Sequence, residues 1–120
     1  MPYPPEHAPR VARLQDARAL HVSSRREGPV YSICPAGELD LASVDAVQAA
    51  LERAEHTDAR SIVLDLSAVT FMDSTGVRLV LNAEARSRCD SNRLSVRRGR
   101  PRVQRVFEIC GVGGLLPFVD

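Results

Sequence analysis

The chain contains no lysine: all 16 of its basic residues are arginine, which we read as coding bias more than as function. Basic and acidic groups nearly cancel at a formal net charge of +1. No whole-molecule field therefore exists to hold nucleic acid or an anionic membrane as a partner. Aromatic residues make up only 4% of the chain. None interleaves the one basic cluster, Arg97-Arg98-Gly99-Arg100-Pro101-Arg102 with Arg93 and Arg105 nearby, which disfavours stacking on single-stranded nucleic acid. That cluster reads as a solvated strand-to-helix loop, with contact to an acidic partner or a phosphate as the alternative. Cys34, Cys89 and Cys110 are odd in number and form no C-x-x-C pair, which points to reduced thiols in a cytosol and away from a disulfide scaffold or a zinc site. No apolar run approaches about 18 residues, and no signal-peptide pattern is present, so a soluble, cytoplasmic chain is expected. His7, His21 and His56 are scattered without metal-ligand spacing. Glycine-rich phosphate loops and the Gly-x-Ser-x-Gly elbow are both missing. No cofactor, no metal and no catalytic residue is expected.

What is present suits one small domain. At 120 residues and 44% hydrophobic content, the chain can bury a core without cross-links. Residues 1–19, with prolines at 2, 4, 5 and 9, read as a flexible leader, with a helical turn over 11–19 as a weak alternative; the domain is assigned to residues 20–120. Leu20 to Ser23 and Val30 to Cys34 read as a hairpin across Arg25-Arg26-Glu27-Gly28, broken at Gly37-Glu38-Leu39-Asp40. A helix follows from Ser43, its N-cap, with Val44, Val47, Leu51 and Ala54 inward. A short strand spans Arg93 to Val96. Pro101 opens a last helix with Val103, Val106, Phe107 and Cys110 as its apolar stripe and Gly111 as its stop. Leu115 to Val119 is a final strand or edge segment. The order β-β-α-β-α-β-α-β predicts an α/β domain with a mixed sheet of four to five strands and helices packed against it.

The stretch between these elements organises the rest. Ile62, Val63 and Leu64, continuing to Leu66 and Val69, form an apolar run that suits a strand buried on both faces. Polarity breaks at Asp73-Ser74-Thr75-Gly76. Val77, Val80 and Leu81 then follow helical spacing, with Arg78, Asn82 and Arg86 opposite. Asp73 to Gly76 is thus a strand-to-helix turn at the carboxyl edge of a sheet, where open α/β folds place their ligands.

Phe71-Met72-Asp73-Ser74-Thr75-Gly76-Val77, with Ile62-Val63-Leu64-Asp65-Leu66 and Gly37-Glu38-Leu39-Asp40 upstream, resembles the STAS domain of bacterial anti-sigma-factor antagonists. The resemblance runs from about Leu20 to the C-terminus and implies a STAS-like fold. It also implies that Ser74 is phosphorylated by an anti-sigma-factor serine kinase and restored by a PP2C-like phosphatase. Arg78 stands where the family often has a second glycine. The implied function is a switch that regulates sigma-factor-dependent transcription, the chain being a monomer or weak dimer. The surface expected to meet the partner comprises Asp40, Asp73, Ser74, Thr75, Gly76, Val77, Arg78 and Asn82. A STAS scaffold subunit of a lipid-transport ATPase or stressosome-like complex is the alternative, with Ser74 never modified. A small enzyme using Asp73 or Ser74 as nucleophile is a third reading, weakened by the lack of a positioned base.

Each of these residues also has a plain role. Asp73 or Ser74 suits an N-cap, worth roughly 1 kcal/mol. Asp40 suits a solvated loop carboxylate. Thr75 offers a second hydroxyl in the same turn.

Overall fold

The computed structural model describes residues 19–120. All but the last residue of the expected leader, and likewise of the alternative helical turn, lie outside the described residues. Strand β1 (His21–Glu27) and strand β2 (Val30–Leu39) form an antiparallel hairpin turned by Gly28 and Pro29. Helix α1 (Val44–Glu55) leads to strand β3 (Ser61–Asp65) and strand β4 (Val69–Met72). Helix α2 (Ser74–Cys89), strand β5 (Leu94–Arg97) and helix α3 (Pro101–Ile109) follow. A 3-10 turn, Gly113–Leu115, precedes strand β6 (Phe118–Val119). The six strands are ordered β1-β2-β3-β5-β6, and β4 pairs with β2. All pairings beyond the hairpin are parallel. The mixed α/β sheet expected from the sequence is present, with one strand more than the upper expectation.

The extra strand comes from the central apolar run. It does not pass straight from Ile62 to Met72. Ser67 N–H bonds the Asp65 carboxylate at 2.9 Å and Val69 N–H bonds Leu66 C=O at 3.0 Å, so the chain turns after Asp65 and starts a second strand. Nor is the run buried on both faces. Ile62, Leu64 and Leu66 are buried, while Ser61, Val63 and Asp65 are half-buried. In register, Ile33, Leu64 and Val96 line one face, and the helices pack there over a core completed by Val47, Leu51, Val80 and Phe107. The opposite row of Ser32, Val63 and Ser95 is less covered. Cys34 shares that face: its partial burial, with help from the Asp65 carboxylate, pushes the thiol above its usual range, against the opposing pull of Arg97 and Arg25.

Gly37 does not break β2. The register against β4 shifts there, with Gly37 opposite Val69, Glu38 opposite Phe71 and Thr70 of β4 left over between them, and β2 continues to Leu39. Gly37 has φ +118, and a side chain would meet the Ala19 carbonyl oxygen at 2.6 Å, so the chain requires glycine at this point.

Other expectations change once the helices are packed. On α2 the buried set is Gly76, Val77, Leu79, Val80 and Ala83, with Leu81 only half-buried. This helix touches the sheet and both neighbouring helices, so its covered face is wider than one stripe. Arg86, expected outward, turns to α1, where its Nε donates to both Glu55 carboxylate oxygens at 3.2 Å. Cys110 is exposed because α3 has already ended at Ile109. Gly111 closes that helix as expected, its N–H bonding Glu108 C=O. Ser43 precedes α1, but its hydroxyl does not cap the helix. Arg93 lies before β5, not in it, and is 11% exposed.

Candidate functional site

Parallel pairing of β2 with β4 sets Leu39 opposite Met72, so both strands end at the same edge of the sheet. Asp40 leaves one and Asp73 leaves the other, and the Asp73 N–H reaches Leu39 C=O at 3.4 Å. Two acidic positions 33 residues apart in sequence, 73 less 40, therefore open adjacent loops.

Asp73 is the N-cap of α2. Its backbone is extended, and its Oδ1 accepts the Thr75 N–H at 2.9 Å, while its carbonyl accepts the Gly76 N–H at 3.0 Å. The capping role thus falls to Asp73 and leaves the next residue unencumbered. Ser74 occupies the first helical position and is exposed. Its hydroxyl has no hydrogen-bonded base among the described residues, so nothing here activates it as a nucleophile. Thr75 is half-buried; Arg78 and Asn82 are exposed on the outer face of α2.

Gly76 and Val77, expected at the partner surface, instead point inward: both are buried. A Cβ on Gly76 would collide with Met72 Cγ, and would lie 2.7 Å from the Met72 sulfur and 3.2 Å from Leu39 Cδ2. The glycine lets the first turn of α2 sit directly on the ends of β2 and β4, which holds Ser74 at the rim. Gly76→Ala is expected to cost about 2 kcal/mol by overpacking, read as a lower midpoint in urea unfolding with an unchanged slope. An unchanged midpoint would show that the contact tolerates a methyl group.

Asp40 is half-buried, not a freely solvated carboxylate. Its Oδ1 accepts the Ala42 N–H at 3.0 Å, and its own N–H donates to Ser43 Oγ at 3.1 Å. The Ser43 hydroxyl in turn donates to Glu38 C=O at 2.8 Å. These bonds tie the loop to the end of β2 and leave Leu41 outside, 78% exposed. Phe71, on β4 two residues before Asp73, is 42% exposed. Leu41 follows Asp40 and Phe71 precedes Asp73, so each is an exposed apolar group on one of the two segments that frame the turn, of a kind that a protein partner can cover. Sequence reasoning missed both. Leu41 carries a local signal, an apolar residue between a loop-forming aspartate and a serine, whereas Phe71 reads as one more residue of a strand.

The basic cluster is largely engaged at the same edge. Arg97 is 4.0 Å from Asp65, and Arg98 is 3.6 Å from Asp120 and lies over the Phe118 ring. Arg100 Nε reaches Ser67 C=O at 3.4 Å. A cavity of about 260 Å³ lies elsewhere, between the C-terminal ends of α1 and α2. Its charged lining is already paired, Glu55 with Arg86 and Asp90 with Arg93. Among the described residues no three His, Cys, Asp or Glu side chains gather to hold a metal, and no helix is long and apolar enough to cross a membrane.

The family model described as "Mlab, STAS domain" matches residues 20–117. The chain belongs to the STAS-domain family. The resemblance carried by Phe71–Val77 and by Gly37–Asp40 is thereby borne out. This STAS domain is 27% identical over 97 residues to the anti-sigma-B factor antagonist of Staphylococcus aureus, covering 81% of this chain and 90% of that protein. The unphosphorylated anti-sigma factor antagonist SpoIIAA has a similar structure, with a TM-score of 0.68 at 25% identity over 83% of this chain and 89% of that one. SpoIIAA in its phosphorylated form, a Bacillus cell fate determinant, gives a TM-score of 0.61 at 25% identity over 85% and 92% of the two chains. The STAS fold is thus associated, in these relatives, with antagonism of anti-sigma factors and, in SpoIIAA, with a phosphorylated state.

Proposed function

We propose that this STAS domain is an anti-sigma-factor antagonist that works by partner switching. Unphosphorylated, it binds a serine-kinase anti-sigma factor through Asp40, Asp73, Ser74, Thr75, Arg78 and Asn82, flanked by Leu41 and Phe71. The kinase phosphorylates Ser74 and the complex dissociates; a PP2C-like phosphatase restores the binding form. The chain itself turns nothing over.

The observation that carries this reading is an exposed Ser74 at the first position of α2, freed from capping by Asp73. A phosphate there brings about −1.5 to −2 charge and three acceptor oxygens. The helix N-terminus favours that charge, so the domain stays folded. A partner packed over the turn, by contrast, must desolvate the phosphate or leave. Incubating the chain with ATP and its cognate kinase should give an adduct of about 80 Da on Ser74, the mass of one added phosphoryl group, and none on Ser74→Ala. An adduct on any other residue, or none, overturns the switch and favours the scaffold reading.

A further inference from the structure

Of the three arginines of α2, Arg78, Arg86 and Arg88, Arg78 alone has no acidic partner among the described residues. Arg88 has Glu84 at i−4, with which it pairs at 3.7 Å, and Arg86 pairs with Glu55 across to α1. At i−4 from Arg78 stands Ser74, and at i+4 stands Asn82. Arg78 is exposed and takes part in none of the ion pairs among the described residues. We infer that Arg78 is the built-in counter-ion of phosphoserine 74, pairing with it along the helix once the modification is made; the inference rests on the phosphorylation reading above.

Residues four apart on a helix face one another, and an anion placed N-terminal to a cation is the favourable orientation. A guanidinium presents a planar pair of donors that matches two phosphate oxygens, which an ammonium cannot do. Before modification the pair does not exist, since Ser74 is neutral. Afterwards Arg78 draws the phosphate along the outer face of α2 and neutralises part of its charge. Two consequences follow: release of the partner relies on bulk and on occupied hydrogen-bonding groups more than on net repulsion, and the phosphate meets an incoming phosphatase already held by an arginine. A glycine at position 78 supplies neither effect.

The test uses the full chain with phosphoserine inserted at position 74 during translation, so that recognition by a kinase plays no part. Phosphorus NMR then follows the second ionisation of the phosphate in wild type, Arg78→Ala, Arg78→Lys and Asn82→Ala. The helix N-terminus and the neighbouring Asp73, Asp40 and Glu38 act equally in all four. The pKa is expected to rise by roughly 0.3 unit in Arg78→Ala, by less in Arg78→Lys, and not at all in Asn82→Ala, the differences collapsing near 1 M salt. The same pKa in wild type and Arg78→Ala overturns the inference. A kinase that ignores Ser74 would instead overturn the functional reading and leave this pairing untouched.

Discussion

Under the proposed partner switch, Ser74→Asp is expected to bind the serine-kinase anti-sigma factor roughly 100-fold more weakly than the wild type, equivalent to about 2.7 kcal/mol, whereas Ser74→Ala is expected to bind as tightly as the wild type and to resist release. Ser74 sits at the rim with its side chain outward. A carboxylate there is held comfortably in the free domain and becomes costly only when a partner strips its water. The same substitution should leave the fold intact, because an acidic residue in the first turn of a helix contributes about 0.3–1 kcal/mol of stability. Binding calorimetry paired with thermal unfolding separates the two effects. Equal affinities for the Asp and Ala variants would show that the partner does not cover this turn.

The second large effect lies at the opposite edge of the sheet. Arg93→Ala is expected to destabilise the domain by about 3 kcal/mol, given charge-assisted bonds of roughly 1.5–3 kcal/mol each that are only partly additive. The Arg93 guanidinium donates to Thr57 C=O at 3.0 Å, Ala59 C=O at 2.7 Å and Glu55 C=O at 2.8 Å, and to the Asp90 carboxylate at 2.8 Å. It therefore satisfies carbonyls at the end of α1 and the start of the next loop that no helix bond can reach. Removing it leaves those oxygens without their donor in a site the arginine had sealed. The melting temperature should fall by roughly 15 °C, from the usual 4–8 °C per kcal/mol for a domain near this size. Arg93→Lys should recover less than half of the loss, because one ammonium cannot span four acceptors on three segments. A change of under 5 °C in the Ala variant would show that water replaces the guanidinium without cost. Because the Ser74 edge is remote from this clamp, the folded fraction of Arg93→Ala should still bind the anti-sigma factor.

The two positions differ in how far sequence alone exposes them. Ser74 is legible locally: a polar break after a hydrophobic run, a glycine two residues on and a helical period beyond it place the hydroxyl at a strand-to-helix turn, and the motif around it carries the family resemblance. Arg93 is not. In sequence it belongs with the arginines of the 97–105 cluster, and nothing near it announces that its three backbone acceptors lie more than 30 residues earlier. Arg86 misled in the same way, since helical spacing places it opposite Val80 and only the approach of α1 turns it to Glu55. The central run failed differently. Its composition is that of a single long strand, yet the Asp65 carboxylate turns the backbone after five residues and sends the rest to pair with β2. Cys110, which helical spacing adds to the α3 stripe, lies one residue past the end of its helix.

Sequence by itself determined the α/β class, the helix faces carrying Val47, Leu51, Val103 and Phe107, and the turn that presents Ser74, because each depends on periodicity and turn chemistry within a dozen residues. Tertiary structure alone decided that β4 joins the end of β2, that Asp40 stands beside Asp73, that Gly76 and Val77 face the core while Leu41 and Phe71 face out, and that Arg93 locks α1 to β5. Those outcomes depend on which strands pair and how closely helices approach them, and a pairing partner far along the chain leaves no mark on the residues next to it.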